Sequence, residues 1–313
     1  MQRKRYEWKL RDRMFSLGER TLILGVLNVT PDSFSDGGKF SDPDRAFARA
    51  IELEEEGADI LDIGAESTRP GSVRISEAEE LRRLVPVLKR LRGKLNIPIS
   101  VDTYKANVAL KALDLGVDII NDPSALTFDA ELAGAVASVN AGLILNHMRG
   151  TPENWTKLPP LKDAMRVIGQ DLSASAHRAI RAGVGQKQIV VDPGLGFGKR
   201  REQNSEILAQ LGSLSSLLMP LLVGPSRKHF LAKESVDATE FATAAAVTAA
   251  ILHGAHMVRV HDVKAMKAVA AVADEILRAE IVPELVTEKA VISVDRSGTS
   301  GRSGSRAVRP KIS

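Results

Sequence analysis

The 313-residue chain contains no cysteine, so it has no disulfide framework, no thiolate nucleophile and no cysteine-ligated zinc site. That composition suits a reducing compartment. No continuous apolar run reaches the roughly 18 to 20 residues of a membrane span. The charged N-terminus MQRKRYEWKLRDR is not followed by the apolar core of a signal peptide. A soluble, cytoplasmic protein is the expectation. No Gly-x-Gly-x-x-Gly follows the first apolar run, which weighs against a dinucleotide-binding open sheet.

A hydrophobic content of 44% can build a large core without disulfides or a structural metal. The pI of 9.3 invites a nucleic-acid reading until the charges are located. Residues 1–13 hold six basic and two acidic side chains, and residues 296–313 hold five basic and none acidic. Against a total of +4, the body between these arms is near −5. A folded basic face for nucleic acid is therefore not expected, and the arms are left with at most weak contact to polyanions. The Gly/Ser/Arg-rich end, SGTSGRSGSR, cannot build a core and reads as a disordered tail.

Eight short apolar runs recur: Thr21 to Asn28, Asp59 to Ile63, Ile97 to Val101, Val117 to Ile120, Ala141 to Leu145, Gln188 to Val191, Pro220 to Val223 and His256 to Val260. Helix signals lie between them. Ser41-Asp42-Pro43 can open a helix ending near Gly57, Ser76 with Glu79 has the form of a capping box, and Thr103 can cap a helix closing at Gly116. A long helix is expected from about Leu161 to Gly183, and Asp237 with Glu240 offers a second box. Apolar strands alternating with helices imply a parallel sheet covered by helices. Eight such units predict an α/β fold, a (β/α)8 TIM barrel at 21–280, with a basic N-terminal arm at 1–20 and a disordered C-terminal tail at 281–313.

Polar residues collect where the strands end: Asn28, Asp62 and Glu66, Asp102, Asn121 and Asp122, His147, Asp192, Ser226 to Lys228, and Arg259, His261 and Asp262. In a barrel those ends share one mouth. Several have a plainer reading. Asp102 and Asp122 precede Thr103 and Pro123 and could cap or turn the chain, and His147 reads better as a hydrogen-bonded structural histidine. Arg259 and His261, two apart on a strand, share a face and need an anion or carboxylate opposite. The loop GVLNVTPDSFSDGG (25–38) leaves an apolar strand for oxygen-bearing side chains and a Gly37-Gly38 hinge.

These stretches, with DIGAESTRPG (62–71), SVDTYK (100–105), INDPSA (120–125), NHMRGTP (146–152), DPGLGFGK (192–199), VGPSRK (223–228) and VRVHDV (258–263), resemble the motif series of the dihydropteroate synthase family, in order, over about residues 21 to 278. The resemblance implies the barrel and condensation of a dihydropterin methyl diphosphate with 4-aminobenzoate. It implies pterin contacts at Asp102, Asn121, Asp192 and Lys228, and aminobenzoate contacts at Thr68, Arg69, Pro70, Phe197 and Ser226. Diphosphate would lie on Asn28, Arg259 and His261, with Asn28 also a ligand of Mg2+. Asp102, Lys228, Arg259 and His261 would carry catalysis. The first and second loops would order over the bound pterin. A homodimer through the last helices is also implied, with no membrane and no specific nucleic-acid partner. Two alternatives share the pterin contacts: a methyltransferase working with a corrinoid partner, and a non-catalytic pterin-binding paralogue. The first has no use for STRPG and VRVHDV, and the second none for the leaving-group contacts. One departure stands out: Asn146 occupies a place where the resemblance leads one to expect an apolar residue, which would make a pterin wall more polar.

Overall fold

Eight parallel strands form where the apolar runs lie: β3 (Leu22–Asn28), β4 (Ile60–Gly64), β5 (Ile99–Asp102), β6 (Ile119–Asp122), β7 (Gly142–Asn146), β8 (Ile189–Asp192), β9 (Leu222–Val223) and β10 (Met257–Val260). Hydrogen-bonded neighbours run β8-β7-β6-β5-β4-β3-β10-β9, and a parallel bridge between Val191 and Leu221 joins the two ends. The sheet is a barrel, as expected. It is known here from a computed structural model that describes residues 3–30 and 43–279. The helix start at Ser41-Asp42, most of the first loop and the C-terminal tail lie outside the described residues.

Helices α1 (Pro43–Glu55), α2 (Glu77–Leu91), α3 (Ala106–Asp114), α4 (Leu132–Ser138), α5 (Ala164–Arg181), α6 (Arg201–Ala209), α7 (Val236–Leu252) and α8 (Val263–Ala279) cover the barrel. Outward strand residues such as Ile23, Leu61, Ile63, Val101, Leu143 and Val258 pack with helix residues such as Leu53, Leu84, Val108 and Val247 in one buried layer. Each such side chain contributes on the order of 1.5–3 kcal/mol of transfer free energy. Two caps depart from the sequence reading. Thr103 does not cap α3, whose first free N–H, on Ala106, is taken by Asp129 at 2.8 Å from the next loop. The cap of α7 is Ser235, which accepts from Ala238 N at 3.1 Å, two residues before the expected Asp237. Ser76 caps α2 as expected, accepting from Glu79 N at 3.3 Å.

The N-terminal residues are no loose arm. β1 (Tyr6–Leu10) and β2 (Arg13–Leu17) pair antiparallel, and Trp8, Leu10 and Leu17 join Leu22, Leu24, Ile60, Ile119, Ile144, Val190, Leu222 and Met257 in a second buried cluster inside the barrel. The hairpin plugs the end of the barrel where the strands begin. Trp8 Nε1 donates to Gln188 O at 2.9 Å, and a Cβ at Gly142 would come 2.3 Å from Leu10 Cδ2, so glycine there makes room for the plug. Three of the basic side chains bond to the barrel: Arg3 pairs with Asp274 at 2.9 Å, Arg11 donates to Leu113 O at 2.7 Å, and Arg13 donates to Asn96 O at 2.8 Å. Among the described residues no helix is long and apolar enough to cross a membrane.

Candidate active site

Side chains alternate across a strand, so every second residue faces the barrel interior. Read from the plugged end upward, that face runs Leu22, Leu24, Val26, Asn28 on β3, then Ile60, Asp62, Gly64 on β4. It continues with Ser100, Asp102; Ile119, Asn121; Ile144, Asn146; Val190, Asp192; and Met257, Arg259, then His261 beyond β10. Most of the lower positions are apolar and belong to the inner cluster, Ser100 being the exception; most of the upper ones are polar, with Val26 and Gly64 the exceptions. The site is the layer in which the inward period changes character. Register confirms a common level for part of it, since Gly64 pairs with both Asn28 and Asp102, and Asp102 with Asn121.

Arg259 is the hub. Its Nε donates to Asp62 Oδ2 at 2.5 Å and its Nη2 to Asp102 Oδ2 at 2.9 Å, while Nη1 makes no hydrogen bond among the described residues. Asn121 Nδ2 donates to the same Asp62 oxygen at 3.3 Å. Asp62 is 0% exposed, and its Oδ1 and the Oδ1 of Asn121 are buried without partners. Unpaired buried acceptors cost free energy, so both atoms are prepared for donors that the protein itself does not supply. Burial pushes the Asp102 carboxyl up, with Asp62 adding to that and Arg259 opposing it. The two neighbouring carboxylates hold the Arg259 guanidinium firmly charged.

Across the mouth, Asp192 Oδ1 accepts from Gly194 N at 2.7 Å, and burial raises its pKa to about 6. Gly194 has φ +69 and lies so close to His147 O that a Cβ would sit 2.0 Å from it, so only glycine fits. Lys199, buried, donates to His147 O at 2.8 Å, Gly194 O at 2.7 Å and Phe197 O at 3.3 Å, tying the loops after β7 and β8 together. Phe197 packs edge-on to Trp155, and the Lys228 ammonium lies 4.0 Å from the Phe197 ring centroid. Burial, then Arg259, lower Lys228 to about 8, against Asp192 and Asp102.

His261 sits with Ser226: Nδ1 lies 2.9 Å from Ser226 Oγ, and His261 N donates to that oxygen at 3.2 Å. Burial and Arg259 depress the imidazole to about 3, so of the two roles expected for it, cation or donor, it has the neutral one. With Nδ1 as acceptor, the Ser226 hydroxyl has no proton left for a carboxylate. The Ser226 main-chain N–H, in contrast, makes no hydrogen bond among the described residues, and Arg227 beside it has φ +56. Asn28 has no side-chain hydrogen bond among the described residues. Its Oδ1 faces Gly64, 3.7 Å from where a Cβ would be. Thr68, Arg69 and Pro70 follow β4 in a described loop, with Arg69 close enough to His261 to depress it slightly.

The plainer readings hold at two places. Asp122 is a turn former, accepting from Ser124 N and Oγ, both at 2.8 Å, and from Leu126 N at 2.6 Å. His147 is structural, buried, with Nε2 3.1 Å from Asp171 Oδ2. Asn146 does face inward beside Asp192, but its Nδ2 is held by Pro123 O at 3.0 Å, so its donor is not free for a ligand. Asn146→Met is therefore expected to change kcat/KM by less than about fivefold, since it removes one neutral hydrogen bond of about 1 kcal/mol; steady-state rates at varied pterin concentration check this. Asp62 and Lys199 carried no role in the sequence reading. Asp62 was visible as a strand-tip carboxylate, whereas nothing in the order of residues around Lys199 signals its three carbonyl partners.

A parallel barrel with an apolar floor and, at its strand tips, a carboxylate–arginine hub opposite a carboxylate–lysine pair has the layout of a barrel enzyme. The pterin binding enzyme family model matches residues 24–261. A dihydropteroate synthase from Synechocystis is 45% identical over 269 residues, covering 85% of this chain and 93% of that protein. The structure of Xanthomonas albilineans dihydropteroate synthase with 4-aminobenzoic acid superposes with a TM-score of 0.80 at 36% identity, covering 90% and 100% of the two chains. That from Thermus thermophilus with 4-aminobenzoate gives 0.76 at 38%, covering 86% and 99%. The chain belongs to the pterin-binding enzymes, and within them to the dihydropteroate synthases.

Proposed function

We propose that this mouth joins (7,8-dihydropterin-6-yl)methyl diphosphate to 4-aminobenzoate, releasing 7,8-dihydropteroate and diphosphate, a step toward folate in the cytoplasm. The observation that carries the reading is the Asp62–Arg259–Asp102 hub opposite Asp192 and Lys228, with two orphaned acceptors between. A pterin edge offers ring N–H and amine donors. Asp192 accepts them in bidentate fashion, Asn121 and Asp62 offer acceptors for further donors, and Lys228 donates to the carbonyl side. Diphosphate lies against Arg259 Nη1, neutral His261 as a donor, and Asn28.

Mg2+ suits the Asn28 corner. Among the described residues no group of three or more acidic or histidine side chains could hold a metal. This ion commonly takes few protein ligands and fills its shell with phosphate oxygens and water. The Asn28 amide oxygen would be its protein ligand, and it would neutralise charge on the leaving group.

The C–O bond between the methylene and diphosphate breaks first, the electron pair leaving with diphosphate toward Arg259. The methylene cation delocalises into the ring, and ionised Asp102 stabilises it. The neutral aniline nitrogen then attacks and loses its proton to diphosphate or water. Aminobenzoate lies along Phe197 and the Thr68–Arg69–Pro70 stretch, with its carboxylate on the free Ser226 main-chain N–H rather than the hydroxyl. Purified protein given both substrates and Mg2+ should form dihydropteroate and diphosphate in equal amounts, with sulfonamides competing against aminobenzoate; no dihydropteroate would defeat the reading.

The protein acts as a homodimer through α7 and α8. These helices pack together and expose an apolar stripe, with Phe241 75%, Val272 57% and Ile276 42% exposed. Phe241→Asp combined with Ile276→Asp is expected to give a monomer by light scattering, while single-ring surface changes elsewhere leave the dimer intact.

A further inference from the structure

Glu66, the second residue of the loop that leaves β4, closes that loop at its base. Its Oε2 accepts from Ile75 N, nine residues on, at 3.3 Å, so one carboxylate holds both ends of the 67–74 stretch. Two groups after β5, the buried Lys105 and the half-buried Tyr104, hold Glu66 in turn. Lys105 Nζ donates to Glu66 Oε2 at 2.5 Å and also to Glu80 of α2, while Tyr104 OH donates to Glu66 Oε1 at 2.8 Å. Lys105 is 8% and Glu80 1% exposed, so this is a shielded triad and not a solvated ion pair.

The same elements support the returning arm. Tyr104 packs edge-on to Phe128 at 5.2 Å, and the Arg74 guanidinium lies 5.5 Å from the Phe128 ring centroid. Further along, Gly71 N donates to Pro152 O at 2.9 Å and Arg74 N to Glu153 Oε1 at 3.4 Å. The loop is thus tied at base, tip and return by the protein's own groups. The polar ends of Tyr104, Lys105 and Glu80 are spent on this cluster, with no hydrogen bond to Asp62, Asp102, Asp192, Lys228 or Arg259 among the described residues.

We infer that Lys105 and Tyr104 are positioning residues for aminobenzoate: through Glu66 they set the place of Thr68, Arg69 and Pro70, and so tune affinity for the second substrate without touching either one. This rests on the aminobenzoate role proposed above for the 68–70 stretch. Asp62 and Asp102 lie within β4 and β5 and not in the loops that follow them, and Asn28, Asn121, Asp192, Lys228 and Arg259 come from other parts of the chain, so the two substrates separate the effect.

Tyr104→Phe removes one hydroxyl and keeps the Phe128 packing. It is expected to raise the KM for aminobenzoate about tenfold, leave the KM for the pterin diphosphate within twofold, and speed hydrogen exchange of the 67–74 amides while α2 and α3 stay protected. Lys105→Met should do the same more strongly, and Lys105→Met combined with Glu80→Gln, which removes the orphaned carboxylate, should restore thermal stability but not the aminobenzoate KM. If wild type makes dihydropteroate and Tyr104→Phe shifts both KM values equally or neither, the positioning role is wrong. If wild type makes none, the functional reading fails first.

Discussion

Arg259→Met is expected to lower kcat by roughly a thousandfold, the size of effect seen when a donor aimed at developing charge is removed. The guanidinium lies between two carboxylates and offers Nη1 to the leaving group, so its loss removes leaving-group stabilisation and also releases Asp62 and Asp102 from their partner. Breaking a buried pair from one side costs on the order of 3–5 kcal/mol, so the variant should also melt earlier. These effects can be separated. Adding Asp62→Asn removes the buried charge that would be left unpaired, and should recover much of the melting temperature while turnover stays low. A single-variant loss below tenfold would show that the leaving group departs without Arg259.

Asp192→Asn is expected to weaken pterin binding by about 30- to 150-fold, equivalent to the 2–3 kcal/mol of charge-assisted hydrogen bonding it removes. The pH dependence should change with it. The Asp192 carboxyl of the free protein is raised to about 6, so its acid form is favoured by folding. Its contribution to stability is fully present below the ordinary aspartate pKa of about 4 and is lost as pH rises through 6. Ligand binding requires the carboxylate and runs the other way, with affinity falling about tenfold per unit below pH 6. Asp122 also titrates near 6, but its oxygens are taken by Ser124 and Leu126, so it affects stability and not the ligand. Calorimetry of a pterin ligand at pH 5 and pH 7 should show a steeper fall toward acid in wild type than in Asp192→Asn, whose remaining slope belongs to Asp102.

Much of the barrel was legible because parallel strands, buried on both faces, leave continuous apolar runs, and because polar residues at their ends are conspicuous. Asp102, Asn121, Asp192, Arg259 and His261 meet for that reason. The pairing of Arg259 with Asp62 was not legible, since it depends on the register of strands almost two hundred residues apart. Cap assignments failed where the partner is tertiary: Thr103 looks like a cap locally, yet Asp129 supplies the acceptor. The hairpin was misread through its charge. Its strand signal was present, in Tyr6, Trp8 and Leu10 alternating with Glu7 and Lys9, but the basic residues around it led to its being read as a basic arm. Ser226 shows a limit of another kind, for which partner its hydroxyl serves depends on the tautomer of His261 beside it, which the order of residues does not record.

The claim that most of the account rests on is that Arg259 and its carboxylates let diphosphate depart before the amine arrives. Substrate labelled with oxygen-18 at the bridge between the methylene and phosphorus tests it directly. Incubated with enzyme and Mg2+ but no aminobenzoate, recovered substrate should show the label moved into non-bridging positions, and Arg259→Met should abolish that movement. Label that stays in the bridge until aminobenzoate is added, while dihydropteroate still forms at full rate, would contradict it.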